Sequence, residues 1–407
     1  LVFLLVVVLS PAPTGWFLWA LPFICLSISD NDKVGILIIT FLSLLLSIFG
    51  VLNVNEFEKL PFIADQVEFF FFEKNIDLVL PTLKTAIVAV GLLFFFRLLR
   101  HSIFNNEFFK GSSKPFVIGI SGDSGVGKDT LVNTLTGLFG SRAVTSISGD
   151  DYHHWDRHMQ IWGAVTHLNP MANDLDLFNK DFRSLSEGRT ITARRYNHST
   201  GRFEKRVEKR SSNILIASGL HVLHSSTSAE LCDLRVFLKM DLGLRKYLKL
   251  KRDTVERGHG KNAVLLSFDR RELDSKKFIE PQEKNADIII NVEPLVPIEN
   301  FDIDSVPRLK IIFEVKNMYH AESIVRALIN LCAANVDFED RPDLGSCMLI
   351  IDGMPSAEDV EHSVLHLVPE IFDYLDNTPR WQSGVFGIMQ LLLISQISYI
   401  LKLRSGI

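Results

Sequence analysis

Long apolar stretches dominate the first hundred residues of the chain. Val34 to Val54 is a run without a single charge, and at about 1.5 Å per residue it is long enough to cross a hydrocarbon core about 30 Å thick. Leu80 to Leu99 is also mostly apolar, and Lys84 and Arg97 lie near its two ends, where long side chains reach the headgroups. The pattern predicts two transmembrane spans.

A third apolar stretch, Leu1 to Ile28, is interrupted by Pro11 to Gly15. It predicts a kinked span, two partial spans or the remnant of a longer region, so residues 1–104 are predicted to be a transmembrane region of about three spans. A secretory signal peptide is the alternative for the first stretch, but no basic segment precedes it. The chain begins with Leu rather than Met, which favours a fragment or an unusual start codon.

The charges beside the spans predict their orientation. The Asn55 to Asp77 connection is mainly acidic, whereas basic residues follow the last predicted span. These are Arg97, Arg100, His101, Lys110 and Lys114. Because basic loops remain inside, the positive-inside rule predicts a multi-pass membrane protein whose remaining part, residues 105–407, is cytoplasmic.

The pattern changes after Lys114. Phe116 to Ile120 is a short apolar run that predicts a buried strand, Gly122 to Lys128 is rich in glycine, and Leu131 to Leu138 predicts a helix. A strand, a glycine loop and a helix N-terminus together form a cradle for phosphate, and the lysine would reach the β- and γ-phosphates of a nucleotide. A glycine-rich loop without phosphate is the alternative. The predicted nucleotide-binding residues are Gly122, Asp123, Ser124, Gly125, Val126, Gly127, Lys128, Asp129 and Thr130.

One position departs from the usual form of such a loop. A Ser or Thr that binds Mg²⁺ normally follows the lysine, but this chain has Asp129 there and Thr130 next. We therefore predict Asp129 and Thr130 as the metal contacts, with ATP and Mg²⁺ as the cofactors.

A pair of acids follows the next predicted strand. Ala143 to Ser148 predicts a strand, and Asp150 and Asp151 come just after it. Acids at the end of a strand beside a nucleotide site are suited to proton abstraction or metal contact. A solvated turn is the alternative.

Composition limits the other functions. A net charge of −5 and a pI of about 6.2 do not favour nucleic-acid binding, although basic residues cluster between Arg189 and Arg210. The 4 cysteines lack metal-ligand spacing, which favours a reducing compartment.

The last part of the chain continues the same pattern. Lys310 to Val315 and Met348 to Asp352 predict strands between helical stretches. Gly384 to Leu403 is apolar enough for a fourth span, but four polar residues interrupt it, and we favour a packed helix. The predicted fold is α/β, a P-loop NTPase-type, mostly parallel sheet flanked by helices and preceded by an all-α transmembrane segment.

Several motifs in this part resemble the phosphoribulokinase/uridine kinase family, and their order is closer to that of plant- and cyanobacterial-type phosphoribulokinases. They are the glycine loop, GDDYHHWDR, HLNPMANDLDL, YNHSTG, GLH, RDTVERGH, FIEPQEKNAD and MLIIDGMPSAEDVEHSVLHL. The resemblance covers roughly Lys114 to the C-terminus. The membrane segment has no counterpart in the phosphoribulokinases available for comparison.

The resemblance implies roles for particular residues. It implies that Asp150 takes the proton from the acceptor hydroxyl and that His153 and Arg157 contact a sugar phosphate. Lys128, Arg252 and Arg257 are expected to act in catalysis through charge, since guanidinium groups suit a transferring phosphoryl group. Further implied acceptor-binding residues are Tyr196, His198 and Lys249. A surface ion pair of Arg252 with Asp253 and a turn role for His198 are the alternatives.

A second departure lies at the end of the strand that precedes GLH. The resemblance implies a Glu near Mg²⁺ there, but this chain has Ser218. Either the enzyme is inactive, or the carboxylate has been relocated to Asp129.

The sequence therefore predicts a membrane-anchored kinase that moves the γ-phosphoryl of ATP to a hydroxyl of a small sugar phosphate, with ribulose 5-phosphate as the implied acceptor. A kinase for uridine, another nucleoside or an envelope sugar is one alternative. A catalytically silent nucleotide-binding regulator is another. The expected partners are ATP, the acceptor and the lipid bilayer, without nucleic acid, and a homodimer remains open.

Overall fold

The computed structural model describes residues 33–53, 76–105, 114–197, 200–251, 268, 271–298, 307–316, 318, 320–376 and 378–405. The chain divides into two compact units, Leu1–Phe109 and Lys110–Ile407. The predicted boundary after residue 104 lies close to this division.

The first unit contains two long helices, α1 (Lys33–Asn53) and α2 (Ile76–Asn105). They pack through apolar side chains such as Leu42 and Phe94, which are fully buried, while Leu93 is 67% exposed. Within α2, Val79–Arg97 is long and apolar enough to cross a membrane, whereas the apolar part of α1, Ile36–Phe49, is shorter. The predicted apolar stretch Leu1 to Ile28 lies outside the described residues.

The second unit is built on a sheet that has eight strands within the described residues. Its strands are β1 (Phe116–Gly122), β2 (Val144–Ser148), β7 (Ile214–Gly219), β8 (Leu234–Met240), β9 (Ile288–Pro294), β10 (Leu309–Lys316), β11 (Asn335–Arg341) and β12 (Ser346–Asp352). They lie in the order β11-β12-β10-β9-β8-β1-β7-β2. The five strands from β9 to β2 are parallel, and β10, β12 and β11 add antiparallel pairings. The predicted α/β fold with a mostly parallel sheet is confirmed.

Helices cover both faces of this sheet. They are α3 (Lys128–Phe139), α4 (Leu175–Ser186), α5 (Ser226–Ala229), α6 (Leu242–Lys251), α7 (Ala321–Asn330), α8 (Ala357–Leu367) and α9 (Gly384–Ser405). Alternate residues of β1 belong to different apolar clusters: Ile118 packs with the cluster of α3, whereas Val117 packs with that of α4. Strands buried on both faces are typical of parallel sheets, which explains the continuous apolar run that predicted β1.

The last helix, α9, is part of this core. Leu391 and Ile394 are fully buried in the cluster of α3. The interrupting Gln390 is buried as well, because its side chain accepts a hydrogen bond from the Gln382 amide at 2.8 Å and donates one to the Arg380 carbonyl at 2.9 Å. Although Gly384–Arg404 is long and apolar enough to span a membrane, it is mostly buried in this unit, which agrees with the prediction of a packed helix.

Two small antiparallel ladders follow α4. They pair β3 (Ile191–Ala193) with β6 (Val207–Lys209) and β4 (Tyr196–Asn197) with β5 (Arg202–Phe203). This segment contains the basic cluster seen in the sequence and lies beside the 3₁₀ turn Gly149–Tyr152, which carries the two acids.

Candidate active site

The glycine loop between β1 and α3 has the backbone that a phosphate cradle needs. Gly125 and Gly127 adopt φ values of 86° and 94°, a region that side chains disfavour. A Cβ at Gly122 would collide with the carbonyl oxygen of Leu238 on the neighbouring strand. The loop then enters α3 at Lys128, so the N-terminus of that helix lies at the end of the loop, the arrangement that binds phosphate groups in many proteins.

Lys128 folds back over this loop. Its ammonium donates hydrogen bonds to the carbonyl oxygens of Gly122 at 2.9 Å and Asp123 at 2.7 Å. Burial lowers the pKa of Lys128, and the charges of Asp150, Asp123 and Asp129 oppose that shift. The lysine is thus electrostatically linked both to the loop and to the acid predicted as the base.

The loop residue Asp123 is bound from two sides. Arg245 of α6 donates to it at 2.5 Å, and the Ser275 hydroxyl donates at 2.6 Å. Burial would raise the pKa of Asp123, but the Arg245 charge and the hydrogen bonds from Ser275, Arg245 and the Ser124 amide together hold that pKa below its usual value. Asp123 therefore remains ionised and ties the phosphate loop to α6.

The two adjacent acids have different surroundings. Asp151 is buried; its carboxylate accepts the Tyr196 amide at 2.8 Å and pairs with Lys209 at 3.2 Å. Asp150 is more exposed, with 29% of its side chain accessible, and lies 3.5 Å from the His153 ring. Asp151 therefore supports the turn, while Asp150 is the acid that lines a small neighbouring cleft.

Three residues implied for acceptor binding lie around Asp150. The ring of His153 is buried, hydrogen-bonded to Asn173 at 2.6 Å, and stacked edge-on against Tyr196 at 5.5 Å between centroids. Burial raises the pKa of Tyr196, and the charge of Asp150 raises it further. A hydrogen bond with Arg157 acts to lower that pKa. The structure thus brings His153, Arg157 and Tyr196 together beside the candidate base.

Part of the basic cluster holds this turn in place. Arg194 donates to the carbonyl oxygens of Asp151, at 3.0 Å, and His153, and its guanidinium lies 3.8 Å from the ring centroid of Phe203. Lys209 neutralises the buried Asp151 from the other side. These basic residues therefore have a structural role next to the acid pair.

Positive charges from several elements meet near His167. Burial lowers the pKa of this histidine, and the charges of Arg271, His153, Lys249 and Lys128 lower it further. Lys249, implied for acceptor binding, and Lys128 of the phosphate loop therefore both lie close enough to His167 to act on it electrostatically. Such a cationic region suits phosphate groups.

The predicted metal contacts lie at the start of α3. Asp129 and Thr130 are exposed, and Asp129 acts on Lys128 together with Asp150. Ser218 is buried near the end of β7 and pairs in register with Ile120 and Ser148, shortly before the loop and the acids begin. Mg²⁺ binds through one or two carboxylates plus phosphate oxygens and keeps several waters, and the carboxylate and hydroxyl at this position fit that requirement.

Three implied residues, His198, Arg252 and Arg257, lie outside the described residues. Arg245, Ser275 and Gln282 were not among the residues that the sequence motifs predicted for the site. Gln282, in the FIEPQEKNAD motif, is buried, and its amide links the Leu220 carbonyl at 2.8 Å with the Ser121 hydroxyl at 2.8 Å. Its buried position in a polar segment was not visible in the sequence.

Comparison with known proteins agrees with this geometry. The sequence model described as "Phosphoribulokinase / Uridine kinase family" matches residues 117–299. The phosphoribulokinase of Synechocystis sp. is 38% identical over 184 residues, which cover 45% of this chain and 55% of that protein. The chloroplastic phosphoribulokinase of Triticum aestivum is 33% identical over 218 residues, covering 49% of this chain and 54% of that protein.

A uridine kinase of Limosilactobacillus reuteri is 28% identical over 187 residues, covering 44% of this chain and 84% of that protein. Among solved structures, the phosphoribulokinase from Rhodobacter spheroides shares the fold, with a TM-score of 0.50 and 19% identity over 71% of this chain and 98% of that chain. The chain spans about half the length of the phosphoribulokinases that it matches in sequence. Residues 117–299 are therefore similar in sequence to the phosphoribulokinase/uridine kinase family.

Proposed function

We propose that this domain transfers the γ-phosphoryl group of ATP to a hydroxyl group of a small sugar phosphate, with ribulose 5-phosphate as the expected acceptor. The observation that carries the proposal is the convergence of two groups of residues. The phosphate loop with Lys128 follows β1 and the turn with Asp150 follows β2, two strands that pair with opposite edges of β7, and the charge of Asp150 acts on Lys128. A nucleotide site and a candidate base are thus adjacent.

The residues suit the steps of phosphoryl transfer. Asp150 would accept the proton of the attacking hydroxyl, and Lys128 with the loop amides would stabilise the charge on the transferring group. Bound Mg²⁺ would neutralise further phosphate charge, with Asp129 and Thr130 as its contacts on this chain. Arg252 and Arg257 are proposed to add positive charge, as the family resemblance implies.

A sugar phosphate is favoured over a nucleoside because of the charge beside the base. Arg157 is hydrogen-bonded to Tyr196 near Asp150, and Lys249 is one of the positive charges that act on His167. A phosphate on the acceptor would use these cations, whereas uridine carries no such group. The sequence similarity to a uridine kinase keeps nucleosides as the second candidate.

The test is ATP consumption by the full chain in detergent or lipid nanodiscs. Pentose phosphates, hexose phosphates and nucleosides are offered in turn, each with and without Mg²⁺. We expect Mg²⁺-dependent turnover with ribulose 5-phosphate and little with uridine. ATP binding without turnover on any acceptor would favour the silent regulator, for which Ser218 is the main argument.

We also propose that the first unit anchors the protein in a membrane, with the kinase domain in the cytoplasm. The proposal is supported by the exposed apolar side chains of α2 and by the basic residues that follow it. A cysteine introduced at Asp65 should react with an impermeant reagent in intact cells, and one at Ser112 should not. Labelling at Ser112 alone would show the opposite orientation. Extraction of the chain from membranes by carbonate would contradict a membrane anchor.

A further inference from the structure

A small cleft opens beside Asp150, and none of the residues that line it belongs to the phosphate loop. It is narrow, with a cavity volume of about 10 Å³, which is room for one water-sized group such as a single ligand oxygen. Its lining is mostly apolar, with Leu220, Val222 and Phe178 among its walls, and its polar lining includes Asp150 and His221. A group bound here would lie next to the candidate base.

His221 is buried, and its ring packs against the ring of His224 and lies beside the His167 backbone. The residue is 6% exposed, and neither ring nitrogen has a hydrogen-bond partner of normal geometry among the described residues. A buried polar group left unsatisfied costs about 1–3 kcal/mol. A side chain that carries such a cost without a structural partner is typical of a binding site.

The segment that carries His221 is held in place. Gln282 receives the Leu223 amide at 3.2 Å and the Ser121 hydroxyl at 2.8 Å, and it donates to the Leu220 carbonyl at 2.8 Å. Ser121 directly precedes the phosphate loop. His221 therefore has a fixed position relative to both the loop and Asp150, as a substrate-binding group requires.

The imidazole is uncharged at neutral pH. Burial lowers its pKa to about 3, and the charges of His224, His153 and Lys128 lower the pKa as well. The contact with the His167 backbone acts in the opposite direction. A neutral imidazole offers one donor and one acceptor, which match an uncharged oxygen function. It does not match a phosphate, for which Arg157 is better suited.

We propose that His221 binds an uncharged oxygen of the acceptor, a hydroxyl or carbonyl on the carbon chain close to the hydroxyl that Asp150 deprotonates. The acceptor class is thus a polyoxygenated carbon chain whose phosphate lies elsewhere in the site. This inference rests on the proposed function, because it assumes that an acceptor occupies the cleft.

The test uses the full chain in nanodiscs and the variant His221→Phe, which keeps a planar ring of similar size without polar atoms. The KM for ribulose 5-phosphate should rise about 10- to 100-fold, the range that corresponds to an unpaired polar group. The KM for ATP should not change. Inorganic phosphate, used as a competitor for the phosphate subsite, should inhibit both proteins equally.

Stability separates this role from a structural one. Removal of an unsatisfied buried polar group should leave the melting temperature unchanged or higher, whereas loss of a structural histidine would lower it. His221→Gln keeps a donor and an acceptor and should recover part of the affinity. The matched control is His224→Phe, because this exposed ring stacks on His221 at 5.5 Å but does not line the cleft. It should leave the KM unchanged.

Acceptor binding is also measured by calorimetry in the presence of a non-hydrolysable ATP analogue, so that the inference does not depend on turnover. Weaker binding of ribulose 5-phosphate to His221→Phe would support it even if the wild type proved catalytically silent. An unchanged KM and binding constant, or equal loss of affinity for inorganic phosphate, would overturn it. So would a wild-type chain that binds ATP but no sugar phosphate.

Discussion

The adjacent acids Asp150 and Asp151 should respond in opposite ways to the same substitution. Asp150→Asn preserves the shape of the side chain but removes its ability to accept a proton. If Asp150 is the base, turnover should fall by a factor of about 10²–10⁴, with little change in nucleotide affinity. The carboxylate is partly exposed and 3.5 Å from His153, so its loss should cost only about 0–1 kcal/mol of stability.

Asp151→Asn should act mainly on the fold. Its carboxylate is buried between Lys209 at 3.2 Å and the Tyr196 amide at 2.8 Å, and the amide side chain would leave Lys209 without its counter-charge. Breaking a buried pair from one side costs about 3 kcal/mol. In a domain of this size that corresponds to a fall in melting temperature of about 6–12 °C.

The two effects are measured on the same preparations. ADP release with ribulose 5-phosphate gives turnover, and thermal unfolding gives stability. Asp150→Asn should be inactive and stable, and Asp151→Asn should be less stable and retain more activity. If Asp150→Asn works nearly as well as the wild type while Asp151→Asn is dead, the base has been assigned to the wrong acid.

Three further predictions concern the nucleotide loop and the buried histidine. Lys128→Ala should abolish turnover with the fold intact, and unchanged ATP turnover would contradict a nucleotide site at this loop. Asp129→Ser and Ser218→Glu should each reduce activity, and the double variant should recover more than their sum predicts; additive losses would refute relocation of the carboxylate. Because the pKa of His221 is about 3 when folded but about 6.5 when unfolded, acid favours the unfolded state between those values. In urea unfolding, the free energy of unfolding of the wild type should therefore fall by up to about 1.4 kcal/mol per pH unit below pH 6.5, and that of His221→Gln should lack this contribution. Equal slopes of unfolding free energy against pH in the two proteins would contradict the buried neutral imidazole.

Local patterns predicted the elements whose burial is uniform along the chain. The run Phe116 to Ile120 became β1 because both faces of that strand are covered, and the glycine loop and the start of α3 followed from the same short segment. The helix from Gly384 was predicted as packed because polar residues interrupt its apolar run, and one of them, Gln390, is hydrogen-bonded inside the second unit.

Other features depend on contacts between distant residues. The strand Asn335–Arg341 escaped prediction because it is the edge strand among those that the structure describes and is largely exposed, so it has no apolar pattern. The pairing of Asp123 with Arg245 joins two elements far apart in the chain. No periodicity records such a contact, and the same holds for the contacts of Gln282 with the segment of His221.

The similarity to known kinases and the geometry around Asp150 support one central proposal, that the chain phosphorylates a sugar phosphate. The most direct measurement is transfer of radiolabelled γ-phosphate from ATP to ribulose 5-phosphate by the full chain, with the product identified by mass. We predict that the wild type forms a sugar bisphosphate in the presence of Mg²⁺ and that Asp150→Asn forms none. Label found on uridine instead, or ATP bound without transfer to any sugar phosphate, would contradict it.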